Sequence, residues 1–283
     1  MATVSQIGPQ VSVFEEEWID PVQEDQELTR FRVYRQPSRD EEGAEGSYQI
    51  YLPPTYASQP GRRFRVLYWL HGGFAHSRQC GPAVARIDRA IRSGLMDPVI
   101  VVSPQALPTG WYVDSRDGAR PVEQVIAGDL VRHVDATYRT VSGPGSRAIE
   151  GFSMGGFGAL HLGFKYPKLF GQVSAVAPTV LRRLSQEPEE RIADTFFGDQ
   201  AYYDAVAPWT LLRANVSEIR KHQKIRLLGG AEDARPAAAL RELGAEATEL
   251  GVRHEFHESA GAGHDYEDIV DALGDRYVTF WNS

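Results

Sequence analysis

A serine between two glycines is the residue of this 283-residue chain best suited to covalent chemistry. Residues 151–155 read Gly-Phe-Ser-Met-Gly, and no other segment has the pattern Gly-x-Ser-x-Gly. The residues before it, 147–150, are typical of a short buried strand, and residues 155–165 are typical of a helix that begins on small residues. A tight turn between strand and helix strains the serine backbone, and the glycines remove Cβ atoms that would clash there. The pattern predicts that Ser153 is a nucleophile at the start of a helix, beside the N–H of Met154.

A histidine late in the chain would supply the general base that a serine hydroxyl needs near neutral pH. His264 follows the sequence Ala-Gly-Ala-Gly of residues 260–263, in a loop after a strand predicted over residues 254–257. In α/β hydrolases the catalytic residues follow the chain order serine, acid, histidine, and His264 has the last position in that order. We therefore expect His264 to accept the proton of Ser153.

An acid that orients this histidine is expected between the serine and the histidine in chain order. Asp233 is the first candidate, because it follows an apolar strand and would lie at the carboxyl end of the sheet. Glu232 is the alternative. Three acids in the segment 179–222 rank below both: Asp194, Asp199 and Asp204.

A His-Gly-Gly-Phe sequence at residues 71–74 directly follows a strand predicted over residues 65–70. It resembles the element that donates a second N–H to the oxyanion of an acyl-transfer intermediate. The glycines allow the backbone to approach a substrate oxygen closely. Gly73 is the first candidate donor and Phe74 the alternative, with the N–H of Met154 as the other half of the hole.

Strands and helices alternate through most of the chain and must position these residues. Continuous apolar runs, typical of strands covered on both faces, occupy residues 65–70, 99–103, 172–177 and 224–228. Helical patterns lie between them at residues 83–93, 122–137 and 237–250. Such alternation predicts parallel crossover units and an α/β fold, with helices on both faces of a mostly parallel sheet.

The N-terminal part has a different pattern. Residues 28–34 and 48–52 alternate like half-buried strands around a polar turn at residues 39–46, which predicts an antiparallel hairpin at one edge of the sheet. Residues 1–27 are acidic and are predicted to form an N-terminal arm or a first strand, followed by a single domain over residues 28–283. The aromatic-rich segment 179–222 is either a cap over the site or an ordinary helical connection.

Composition excludes several classes of partner. A net charge of −8 with both signs spread along the chain argues against binding to nucleic acid or to an anionic membrane. The single cysteine, Cys80, cannot form an internal disulfide. No apolar run approaches the ~18 residues that span a membrane. Acidic residues occupy the place of a signal peptide's apolar core, which favours a cytoplasmic location unless a leader has been removed.

With these motifs in this order, the chain resembles an esterase family of α/β hydrolases. The family includes esterase D (S-formylglutathione hydrolase), feruloyl esterases, the antigen 85 mycolyltransferases and enterochelin esterase-like proteins. The resemblance runs from about residue 48 to residue 281, and its most specific parts lie at residues 51–56, 110–115, 138–139, 151–160, 230–233 and 263–265.

The resemblance implies an α/β-hydrolase fold, with Ser153 as nucleophile, Asp233 as acid, His264 as base and the Met154 N–H in the oxyanion hole. It also implies that Trp111 and Tyr112 lie beside the acyl or alcohol pocket, and we expect Phe74 and Trp209 among the aromatic residues near the site. The chain departs from the family at two positions. Tyr266 stands where members often carry tryptophan after Gly-His-Asp, and Cys80 lies farther along than the cysteine of S-formylglutathione hydrolases, which disfavours that substrate.

The sequence therefore predicts a serine carboxylic ester hydrolase that forms an acyl-enzyme with a small-molecule ester, either small or aryl. The chemistry requires no metal and no organic cofactor. Three alternatives remain: acyl transfer to a sugar or another alcohol, peptide hydrolysis, and a non-catalytic binding protein on the same fold. Formation of a homo-oligomer is also open.

Overall fold

The computed structural model of the chain describes residues 17–282. The predicted arm over residues 1–27 therefore lies largely outside the described residues. Its described part contains neither strand nor helix before Arg30. Trp18 is nevertheless buried, and its carbonyl oxygen accepts the Ser47 N–H at 3.0 Å, so this segment packs along the second strand.

Within the described residues, eight strands form one sheet, in the order β1-β2-β4-β3-β5-β6-β7-β8. Their bounds are β1 Arg30–Arg35, β2 Glu45–Tyr51, β3 Arg65–Leu70, β4 Val99–Pro104, β5 Arg147–Phe152, β6 Gln172–Val176, β7 Lys224–Gly230 and β8 His254–Ser259. The β1–β2 and β2–β4 pairs are antiparallel, and the five remaining pairs are parallel. The predicted hairpin and mostly parallel sheet are confirmed.

Helices cover the sheet on both faces. Their bounds are α1 Thr55–Ser58, α2 Gly81–Ser93, α3 Val122–Gln124, α4 Val131–Thr137, α5 Met154–Lys165, α6 Glu189–Phe196, α7 Gln200–Val206, α8 Pro208–Ala214, α9 Val216–His222, α10 Ala234–Glu249, α11 Tyr266–Asp271 and α12 Asp275–Thr279. The helix predicted over residues 122–137 is α3 and α4 joined by a π-helical segment, Val125–Leu130. Two apolar clusters, one on each face of the sheet, form the core.

Three strands, β5, β7 and β8, continue two residues beyond their predicted ends. In each strand the added residues lie at the end that leads to the site. β5 continues to Phe152, which pairs with Val176 of β6. β7 continues to Gly230, which pairs with Ser259 at the end of β8. Parallel pairing with a neighbour supplies the hydrogen bonds that make these additions favourable, although glycine has a low strand propensity.

The segment 179–222 contains α6 to α9 between β6 and β7. It turns Phe196, Tyr203 and Trp209 into the larger core cluster, where each is nearly inaccessible. No helix among residues 17–282 has the length and apolar character that crossing a bilayer requires.

Candidate active site

Ser153 occupies a strained turn between β5 and α5. Its backbone angles are φ 57° and ψ −116°, in a region that residues with a Cβ rarely adopt. A Cβ on Gly151 would lie 2.1 Å from the carbonyl oxygen of Gly155, and a Cβ on Gly155 would lie 2.1 Å from that of Leu70. Both glycines are therefore required for the chain to turn this tightly and present the serine hydroxyl above the sheet.

The structure brings Ser153, His264 and Asp233 into one hydrogen-bonded line. His264 Nε2 lies 2.8 Å from Ser153 Oγ, and His264 Nδ1 lies 2.5 Å from Asp233 Oδ2. A carboxylate can only accept, so Nδ1 carries the proton and Nε2 accepts the serine hydroxyl. Glu232 is exposed, and its backbone N–H is donated to the carbonyl oxygen of Ala262. Of the two adjacent acids, Asp233 is the one that contacts the histidine.

The loops that carry Asp233 and His264 pack directly on each other. A Cβ on Gly230 would lie 2.2 Å from the Gly263 carbonyl oxygen, so the glycine at the end of β7 permits this approach. The Ala231 N–H is donated to the Ser259 carbonyl oxygen at 3.0 Å. These contacts fix the separation of the acid and the histidine through the backbone.

In the part of the chain that the structure describes, the backbone N–H groups of Gly73 and Met154, both beside Ser153, have no hydrogen-bond acceptor. In the loop after β3, the Gly72 N–H is donated to Gln79 Oε1 at 2.8 Å and the Phe74 N–H to the Pro108 carbonyl oxygen at 2.9 Å. Within residues 17–282, the Gly73 N–H has no such acceptor, and Gly73 faces the side chain of Met154. Met154 is the first residue of α5, so its N–H has no partner inside the helix. This geometry favours Gly73 over Phe74 as the second donor.

A cavity of about 220 Å³ opens over Ser153. Its lining comprises Gly72, Gly73, Phe74, Gln79, Pro108, Thr109, Trp111, Phe152, Ser153, Met154, Thr179, Glu187, Arg191 and His264. Phe74 is 43% exposed at its mouth, whereas Trp111 is buried and donates its indole N–H to the Arg191 carbonyl oxygen at 2.7 Å. Two of the four expected aromatic residues therefore line the cavity.

The other two expected aromatic residues, Tyr112 and Trp209, are not part of this lining. The Tyr112 ring fills the space beside Gly158, and its hydroxyl is donated to the His71 carbonyl oxygen at 3.0 Å. Trp209 donates its indole N–H to the Leu181 carbonyl oxygen at 3.0 Å, and the Arg182 guanidinium lies over its ring. Both rings are buried in the core, and each polar atom has a hydrogen-bond acceptor there, which is the favourable arrangement for a buried tyrosine or tryptophan.

Sequence reasoning missed five polar residues of the lining, one of which is Thr109. Thr179 Oγ1 lies 3.4 Å from Ser153 Oγ, and Gln79 Oε1 accepts the Gly72 N–H in the loop after β3. Glu187 and Arg191 form an ion pair at 3.6 Å on the wall contributed by the segment 179–222, with the Arg191 guanidinium 5.6 Å from the Phe74 ring centre. No local motif marks these residues, since their position depends on how that segment folds over the sheet.

A buried carboxylate, that of Glu123, binds side chains of α5, the helix that follows Ser153. Glu123 Oε2 accepts the His161 Nε2–H at 2.6 Å, and its carboxylate also accepts from Lys165 and Tyr166 at the end of α5. Burial alone would raise the pKa of Glu123, but the hydrogen bonds and charge of His161 and the bonds from Lys165 and Tyr166 lower that pKa to about 2. Glu123 therefore remains ionised in the folded protein.

Glu123→Gln is expected to lower the free energy of unfolding at pH 7 by about 2–3 kcal/mol. A depressed pKa in the folded state stabilises the fold above the unfolded value of 4.5, and this contribution is lost as the pH falls toward 2. Urea unfolding at pH 7 and at pH 3 should therefore show a difference from wild type that shrinks in acid. Glu249→Gln, on an exposed site of α10, is the matched control and should change neither value. A difference for Glu123→Gln that is the same at both pH values would contradict this account.

Within the described residues, no group of three or more His, Cys, Asp or Glu side chains is arranged to hold a metal ion. Asp233 and His264, which lie near Ser153, are instead hydrogen-bonded to each other.

Comparison with known proteins identifies the family. The model of the family described as "Putative esterase" matches residues 42–282. The chain belongs to this family. Esterase Rv1288 of Mycobacterium tuberculosis is 29% identical over an alignment of 253 residues, and the match covers 76% of this chain and 51% of that protein. The chain thus spans about half the length of these curated relatives.

Solved structures agree with this esterase-family fold. A ferulic acid esterase overlaps with a TM-score of 0.75 at 20% identity, covering 90% of this chain and 98% of its own. An S-formylglutathione hydrolase from Staphylococcus aureus overlaps with a TM-score of 0.71 at 14% identity, covering 89% of this chain and 98% of its own. The similarity establishes an α/β-hydrolase fold.

Proposed function

We propose that this member of the esterase family hydrolyses carboxylic esters through an acyl-enzyme on Ser153. The observation that carries the proposal is the line Ser153 Oγ–His264 Nε2 at 2.8 Å and His264 Nδ1–Asp233 Oδ2 at 2.5 Å. This arrangement joins a nucleophile, a base and an orienting acid, as acyl transfer requires. Membership of the esterase family supports the same reaction class.

In the first half-reaction, Ser153 Oγ attacks the ester carbonyl carbon while His264 Nε2 takes the hydroxyl proton. The carbonyl π electrons move to oxygen, and the resulting oxyanion accepts the N–H groups of Met154 and Gly73. The start of α5 adds its positive dipole end at the same point. Asp233 stabilises the imidazolium through Nδ1–H. Collapse of the intermediate expels the alkoxide, which leaves as alcohol with the proton from His264.

In the second half-reaction, water takes the place of the departed alcohol. His264 removes a proton from this water as it attacks the acyl carbonyl, and a second oxyanion forms in the same hole. Collapse breaks the bond to Ser153 Oγ, which recovers its proton from His264 and releases the carboxylic acid. The residues used in the two halves are identical, so no further group is required.

The substrate we propose is an ester with a short or an aryl acyl group. A cavity of about 220 Å³ has room for such a group, and Phe74 and Trp111 provide aromatic surface in its lining. Among the similar proteins, one is described as a ferulic acid esterase, whose name indicates an aryl acyl substrate.

Release of p-nitrophenol from a series of esters, from acetate to decanoate, tests this proposal. We expect turnover of acetate and butyrate, with kcat/KM about tenfold or more lower for decanoate, because a long chain exceeds the cavity. Methyl ferulate should also be hydrolysed. Adding an acceptor alcohol such as glycerol distinguishes hydrolysis from transfer, since a transferase would divert most of the acyl group to it. Folded protein that hydrolyses none of these esters would contradict the proposal.

A further inference from the structure

A fully buried carboxylate lies three residues before Ser153 and has no part in the steps above. Glu150 of β5 and Arg226 of β7 are both inaccessible to solvent, and Arg226 Nη2 lies 3.1 Å from Glu150 Oε2. Removing two charges from water is costly unless they are paired and fully hydrogen-bonded. The buried Glu150–Arg226 pair is therefore stable only if the positions of both side chains are fixed by further hydrogen bonds.

Arg226 is held from every side. Its Nε–H is donated to Ser174 Oγ at 3.1 Å and its Nη1–H to the Tyr277 carbonyl oxygen at 2.8 Å. Aromatic rings of the C-terminal segment surround the guanidinium, with ring centres 4.2 to 5.0 Å away: Tyr277, Phe280 and Trp281. The cation is thus a fixed support for the Glu150 carboxylate.

Two tyrosine hydroxyls complete the coordination of Glu150. Tyr277 donates to Oε1 at 2.5 Å and Tyr266 donates to the same oxygen at 3.1 Å. Burial and the nearby carboxylate raise the pKa of both phenols well above the ordinary value, so both remain protonated donors. Both hydroxyls therefore contact the same carboxylate oxygen, and they also lie 2.6 Å from each other.

Of the two tyrosines, Tyr266 is connected to His264 through ring contacts. Tyr266 is two residues after His264, and its ring packs edge-on against Phe152 with centres 5.9 Å apart. The Phe152 ring in turn lies 4.9 Å from the imidazole of His264. Tyr277 contacts Tyr266 and Arg226 but belongs to α12, away from this stack.

We propose that Glu150 and Tyr266 are positioning residues for His264. The Glu150 carboxylate accepts the Tyr266 hydroxyl, and this bond fixes the position of the Tyr266 ring. The Tyr266 ring in turn positions the Phe152 ring and the loop that brings His264 Nε2 to Ser153 Oγ. The inference rests on the proposed function of Ser153 and His264. A small displacement of a catalytic base costs a large factor in rate, so the anchor acts on turnover rather than on substrate binding.

Tyr266→Phe and Tyr277→Phe form a matched pair, because each removes one hydroxyl from Glu150 Oε1. We expect similar losses of Tm in the two variants. With p-nitrophenyl acetate, Tyr266→Phe should lower kcat about tenfold with KM within about twofold, whereas Tyr277→Phe should keep kcat within about twofold of wild type. Equal kcat losses in the two variants, or wild-type kcat in Tyr266→Phe, would overturn the proposal.

The rate at which a fluorophosphonate modifies Ser153 provides a readout that needs no ester turnover. This rate should fall about tenfold in Tyr266→Phe alone, even if the wild-type protein hydrolyses none of the esters tested. Failure of the proposed function and failure of the positioning role are thereby distinguished. If Tyr266→Phe does not fold, Phe152→Leu interrupts the same path while Glu150 keeps all its partners. Because Phe152 also lines the cavity, the limiting rate at saturating fluorophosphonate is compared: an unchanged limiting rate in that variant would overturn the proposal, and a severalfold decrease would support it.

Discussion

Replacing Ser153 with alanine is expected to lower kcat for p-nitrophenyl acetate by about 10⁵- to 10⁶-fold. The change removes the atom that we propose forms the acyl-enzyme, while the N–H groups of Met154 and Gly73 and the cavity remain. The Tm should not fall, because the hydroxyl contributes little to packing and the strained backbone of residue 153 is unchanged.

Ser58→Ala is the matched control for this prediction, since Ser58 is an exposed serine at the end of α1. It should leave both kcat and Tm at their wild-type values. Activity in purified Ser153→Ala within about tenfold of wild type would refute the role of this serine.

Replacing Asp233 with asparagine is expected to lower kcat by about 10⁴-fold with the fold intact. The amide keeps the size of the side chain but can donate to His264 Nδ1, which favours the tautomer whose Nε2 carries the proton. In that tautomer the histidine cannot accept the Ser153 hydroxyl, and the imidazolium also loses its anionic partner.

Glu232→Gln separates the two neighbouring acids. The exposed Glu232 side chain has no contact with His264, so this variant should keep kcat within about twofold of wild type. A large loss in Glu232→Gln together with a small loss in Asp233→Asn would reverse the assignment.

Much of the scaffold could be predicted because its signals are local. The apolar run of residues 65–70 coincides with β3, and the small residues around Ser153 indicate a strand, a turn and a helix before any contact is known. The choice of Asp233 over Glu232 was harder, since the two acids are adjacent. It depends on β7 continuing through Gly230 and on α10 beginning at Ala234, which together turn Asp233 toward the histidine loop.

The lining of the cavity could not be predicted in the same way. Tyr112 directly follows Trp111, and Trp209 belongs to the segment 179–222. Both are nevertheless buried in the core and do not line the cavity. Glu187 and Arg191 reach the cavity because of how α6 and the turn before it fold over the sheet. Glu150 is a charged residue inside a buried strand, and its partners come from β7 and the C-terminal helices, which local sequence does not reveal.

If the acyl group passes through Ser153, a covalent intermediate on this serine can be trapped directly. The protein would be mixed with p-nitrophenyl acetate, quenched in acid within the first turnovers, digested and examined by peptide mass spectrometry. We predict one acetyl group, on the peptide that contains Ser153, and none in Ser153→Ala. Ester turnover with no acetylated peptide, or with the acetyl group on a different residue, would contradict the account.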